Sequence, residues 1–142
     1  ARHEIMLEEY KMKIQIESRV LGDIAGNHVV PTAINYQNKL IQNVRGLKEV
    51  LAPEVFQKVA KDQLHMIESI SGYISTIIAE KDAMIEERKR CNAIEDTREQ
   101  AIAYCEKVIP YFDKIRYACD KLELLVDDEL WPLPKYRELI FI

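Results

Sequence analysis

Residues 16–38 read Ile16-Glu17-Ser18-Arg19-Val20-Leu21-Gly22-Asp23-Ile24-Ala25-Gly26-Asn27-His28-Val29-Val30-Pro31-Thr32-Ala33-Ile34-Asn35-Tyr36-Gln37-Asn38, and the pattern runs on to Leu51. Apolar residues recur at helical spacing through nearly all of it, at Ile16, Val20, Ile24, Ile34, Leu40, Ile41, Val44, Leu47 and Leu51. Pro31 sits mid-pattern, where it removes one backbone donor and crowds the carbonyl four residues back. The stretch therefore predicts a long helix kinked at Pro31. Beside the proline lies a belt of neutral polar side chains, including His28, Asn35, Gln37 and Asn38. It reads as a hydrogen-bonding face between helices, with His28 buried and bonded to a carbonyl freed by Pro31.

Outward from this stretch the rest of the chain is also helical in pattern. With 48% hydrophobic and 31% charged residues but only 4 Gly and 5 Pro, turn formers are too few for an all-β chain. Upstream, Ile14 and Leu21 fall on one face and Ile16 and Val20 on another, which predicts contacts on two sides, a bundle and a partner surface. Downstream, Ala52-Pro53 ends the first helix and starts a second that reaches about Asn92. At about 39 residues it would be near 58 Å long. Gly72 lies inside it, at a cost of about 1 kcal/mol that packing must offset. A third helix carries Ile94, Ala101, Val108, Ile115 and Leu122 at intervals of seven, with Cys105, Phe112, Cys119 and Val126 beside them, and Pro110 should bend it. The predicted fold is all-α, an antiparallel bundle of three long helices, or four if the kink at Pro31 separates two arms. All 142 residues are read as a single helical domain.

The ends differ from the middle. Asp127-Asp128-Glu129 closes the third helix with charges that its dipole disfavours, so a basic group should lie opposite. Residues 131–142 then hold two prolines and seven large apolar side chains, among them Trp131, Tyr136 and Phe141. This reads as a docking tail. The chain opens inside a helical pattern and without methionine, as a piece of a longer polypeptide would.

Chemistry is sparse. A net charge of −4 without a basic cluster excludes a nucleic-acid platform. No apolar run approaches the roughly 20 residues of a membrane span. The 3 cysteines fit a reducing compartment and pack as small core residues. His65 with Asp62 and Glu68 has the three-residue spacing of di-metal bundles, but the second Glu-x-x-His is missing. No Gly-rich phosphate loop and no nucleophile–base arrangement occurs. No catalytic, cofactor-binding or metal-ligating residue is assigned. The candidate interaction residues are His28, Pro31, Asn35, Asn38, Trp131, Tyr136 and Phe141.

Three runs carry a family resemblance: residues 14–23 with 27–38, Ile94-Glu95-Asp96 with residues 101–105, and residues 126–139, Val-Asp-Asp-Glu-Leu-Trp-Pro-Leu-Pro-Lys-Tyr-Arg-Glu-Leu. Together they resemble the C-terminal part of type III glutamine synthetases along essentially the whole chain. The resemblance implies a parent that ligates ammonia to glutamate with ATP and Mg2+ or Mn2+, through a γ-glutamyl phosphate, in large ring oligomers; the expected compartment, from the lack of a span or signal pattern, is the cytoplasm. The catalytic motifs of that parent do not occur here. The expectation is a non-catalytic structural and oligomerisation domain, partnered by the parent's catalytic region and by its own copies. The alternative reading is a freestanding helical module that binds a partner helix or a small effector. No nucleic acid and no membrane is expected as a partner.

Overall fold

A computed structural model describes residues 2–127 and 129–130, and within them every regular element is helical. The predicted tail, with Trp131, Tyr136 and Phe141, lies outside the described residues, as does Asp128. Three rods form the molecule. The first joins α1 (Arg2–Asp23) to α2 (Val30–Val50) through a π-helical turn, Ile24–Val29. The second is α3 (Pro53–Val59) followed by α4 (Lys61–Asn92). The third joins α5 (Thr97–Ala103) to α6 (Ile109–Leu125) through a second π-helical turn, Tyr104–Val108.

Paired residues set the directions. Gln37 reaches Ser71 and Asn43 reaches Gln63, so the second rod runs antiparallel to the first. The ring of Tyr73 meets that of Tyr117 edge to face at 6.5 Å, and Lys114 stands 3.9 Å from Glu80, so α6 runs antiparallel to α4. On the first rod Lys11 pairs with Gln100 and Gln15 with Tyr104, which makes the first and third rods parallel. The bundle is the predicted one, with α4 in contact with both other rods.

Along α4 the buried residues are Ile70, Ile77, Met84 and Cys91, one every seven positions and none more than 1% exposed. Phe112, Ile115, Ala118, Leu122 and Val126 face them from the third rod, and Ala25, Val29 and Ala33 belong to the same core. A seven-residue apolar repeat is the pattern of long, nearly parallel helix packing. Truncating such a side chain leaves a cavity that costs about 2–5 kcal/mol.

Neither interior proline produces a simple kink. Pro31 and Pro110 each take the second position of a helix that follows a π turn. In these turns the Val30 N–H bonds the Ala25 carbonyl and the Ile109 N–H bonds the Tyr104 carbonyl, five residues back instead of four. The widened turn gives the proline ring the room an α-turn denies it. It also resets the helical phase. At about 100° per residue an unbroken α-helix would carry Ala33, Leu40 and Val44 roughly a quarter turn away from the stripe of Ile14, Ser18, Leu21 and Ala25. The added residue brings both stripes onto one face. In the third rod the same device turns the buried face, so that α5 packs on α1 while α6 packs on α4.

The second helix is not continuous. It changes direction at Ala60, which is fully buried and keeps its hydrogen bonds to Phe56 and Leu64. Close approach, at Gly22 and Gly26, joins the first two rods. A Cβ on Gly22 would sit 3.7 Å from Lys81 and from Met84, and one on Gly26 would meet the Lys81 side chain at 2.7 Å. The aliphatic stem of Lys81 occupies the groove the two glycines leave.

Gly72 corrects the sequence reading. It is exposed, and a Cβ there would meet nothing within 4 Å, so no packing offsets its flexibility. The Gly72→Ala substitution should stabilise the fold by up to about 1 kcal/mol and raise the thermal midpoint. Thermal unfolding followed by circular dichroism checks it, and an unchanged or lower midpoint would contradict the open site.

Candidate functional site

Surfaces, not clefts, are what these helices offer. Around Pro31 the polar belt faces outward for the most part. His28 is exposed and lies 3.5 Å from Asp23, so the expectation of a buried histidine on a freed carbonyl is wrong. Nearby, the Thr32 hydroxyl donates to the His28 carbonyl four residues back at 2.8 Å, which is not the carbonyl that Pro31 leaves free. Asn35 and Asn38 are exposed, and among the described residues neither side chain makes a hydrogen bond. Pro31 is exposed as well. Only Gln37 and Asn43 of the belt cross to α4, Gln37 at 2.9 Å to the Ile67 carbonyl and 2.6 Å to Ser71. Trp131, Tyr136 and Phe141 lie outside the described residues, so four of the seven candidates are placed, and all four are on the outside.

The built polar cluster is elsewhere, at the end of the bundle where α4 stops. Tyr104, in the second π turn, is fully buried. Its hydroxyl donates to Asn92 Oδ1 and accepts from Gln15 Nε2 at 3.0 Å. Next to it Gln100 Nε2 donates to the Cys91 carbonyl at 3.2 Å, and its Oε1 accepts from Lys11 Nζ at 2.8 Å. The Cys91 carbonyl also accepts the Ile94 N–H at 3.1 Å, so Gln100 adds a second donor where α4 ends. This cluster ties all three rods together without an unpaired buried side-chain atom among the described residues. Spacing admits Tyr104 as well as Cys105, because 101, 104, 108, 112 and 115 are separated by steps of three or four and so are 101, 105 and 108.

The cysteines divide. Cys91 is buried, and burial raises its thiol pKa. Cys119 is half-buried, and burial pushes its thiol up to about 11. Cys105 is exposed instead of packed, 3.7 Å from the Tyr10 hydroxyl, a hydrogen bond that holds the phenol above its ordinary value. The π turn rotates Tyr104 inward at its expense. At the end of α6, Asp127 Oδ1 accepts from the Glu129 N–H at 3.0 Å, and no cation pairs with Asp127 or Glu129 among the described residues.

No group of three or more His, Cys, Asp or Glu side chains among the described residues could hold a metal ion. His65 instead lines an open groove with Met66, Tyr73, Lys121 and Leu124. No described helix is long and apolar enough to cross a membrane.

Sequence comparison matches residues 1–48, which include α1 and most of α2, to the model of the glutamine synthetase C-terminal domain. A glutamine synthetase of Bacteroides fragilis is 49% identical over 99% of the chain. The chain belongs to the glutamine synthetase C-terminal domain family. A type-3 glutamine synthetase of Dictyostelium discoideum is 24% identical over all 142 residues, and a glutamine synthetase of Butyrivibrio fibrisolvens is 22% identical over 99%. The chain spans only 19%, 19% and 20% of these three relatives. The domain model stops at residue 48, whereas the alignments to these relatives run on through α4–α6.

Two measurements check this geometry. Tyr104→Phe removes the hydroxyl that Asn92 and Gln15 share, while these two stay bonded to each other at 3.2 Å, and should cost about 0.5–1.5 kcal/mol in urea unfolding. Cys119 ionises higher folded than its ordinary 9.0, so its contribution is complete below pH 9 and is lost as the pH rises toward about 11. The unfolding midpoint of the parent protein should therefore fall over that window more than that of Cys119→Ala.

Proposed function

We propose that this chain is the C-terminal structural domain of a type III glutamine synthetase. The parent joins ammonia to glutamate at the expense of ATP, with Mg2+ or Mn2+, and works in the cytoplasm as a ring of identical subunits. The observation that carries this reading is the alignment of 99% of the chain, at 49% identity, to 19% of a glutamine synthetase. One further relative is itself named a type-3 enzyme.

In this reading the domain supplies no catalytic group. Metal and nucleotide are held by other parts of the parent, and the three rods serve assembly. The free thiols of Cys91, Cys105 and Cys119 accord with a reducing compartment. Residues 131–142, large and apolar by sequence, act as an arm between subunits.

The test is made on the full-length gene product. It should be about five times the length of this chain and form glutamine from glutamate, ammonia and ATP; a product of roughly this chain's size, or one without that activity, defeats the reading. Removing residues 131–142 should reduce the mass of the assembly in native mass measurement. An unchanged oligomer with full activity would refute the arm.

A further inference from the structure

The first helix has two apolar faces, and the bundle uses one. Ile14, Ser18 and Leu21 turn inward, with Ile14 only 3% exposed. On the opposite side Ile5, Met12, Ile16 and Val20 are 60%, 53%, 58% and 51% exposed. Those positions, with Glu9 between them, fall at steps of three and four, so they form one stripe along nearly the whole of α1. The grooves beside it are lined by Glu4, Glu8, Glu9 and Glu17, with Lys13 as the one cation among the lining residues. Glu8 is taken by Lys11 at 2.9 Å, while Glu4, Glu9 and Glu17 hold no ion pair among the described residues.

We infer that the outer stripe of α1 docks within one subunit onto the remaining part of the same polypeptide, against an apolar patch rimmed by Lys or Arg. The inference rests on the proposed function in one respect, that such a longer polypeptide exists. Size decides the occupant. Four half-exposed side chains of this kind offer on the order of 400 Å² of apolar surface, the range in which a patch marks an interaction site. Two copies apposed through it would bury on the order of 800 Å², short of the roughly 1,000 Å² that a specific association of free molecules needs. A body tethered on the same chain meets the stripe at high effective concentration, so the smaller area suffices. The relatives supply such a body, since this chain accounts for 19% of the first of them. The acidic rim sets its charge, because an apolar patch ringed by cations complements Glu4, Glu9 and Glu17.

The experiment uses the full-length protein with Cys105→Ser, to remove the exposed thiol, and carries Ile16→Cys or, separately, Met12→Cys. Maleimide labelling of the introduced thiol is followed by mass spectrometry in the native and the urea-unfolded protein. Docking predicts native labelling about tenfold or more slower than unfolded at both positions; faster native labelling at either overturns the inference. The protection should persist when the assembly is separated into single subunits, and its loss on separation would assign the stripe to a neighbouring subunit and refute the choice made here. Glutamine formation is measured on the same preparation. If it is absent the proposed function fails whatever the labelling, whereas activity with a rapidly labelled stripe defeats this inference alone.

Discussion

Everything else in the molecule is arranged against the stripe of Ile70, Ile77, Met84 and Cys91 on α4. One residue in seven is a thin seam for a helix of 32 residues, about 48 Å long. It suffices because both other rods address it. The third rod returns antiparallel and fills one side with Phe112, Ile115 and Leu122; the first crosses the other side with Val29, Ala33 and the glycine-lined groove under Lys81. Among the described residues the grooves between and along the helices are open. The natural product of such packing is surface, and this chain has a great deal of it in relation to its core.

How much of this could be read from the residues depends on what kind of information each feature uses. The helices, their antiparallel order and the seven-residue seam of the third rod follow from periodicity and proline position, which are local. Burial of a particular side chain depends on phase, and phase is where the two π turns intervene. An added residue in a turn leaves no mark in composition, so His28 and Cys105, both inward on an unbroken helix, face solvent instead. Gly72 failed for a different reason: an interior glycine implies packing that offsets its cost, but its position falls on the open side of α4.

The polar features divide in the same way. A belt of amides near a proline looked like a site because side-chain type is visible in a sequence and direction is not. The cluster that does bind the rods is built from Gln15, Asn92, Gln100 and Tyr104, residues far apart in the chain and unremarkable in their own neighbourhoods. Long-range pairing of this sort is decided by the register of three rods at once. The two apolar faces of α1 were legible because they need only one helix to define them.

The π turns have a consequence for how such a chain can change over time. Loss of one residue between positions 24 and 29 would return that turn to an α-ladder. The Pro31 ring would then press on a carbonyl, although Ala33, Leu40 and Val44 would stay on the core face, because the turn already absorbs one residue in excess of the ladder. Gain of one residue, wound into the α-ladder, would instead turn them about 100° away from the core. Within these two turns the proline that follows is what holds the extra residue in place, and a chain without that proline could lose the residue and keep its core face.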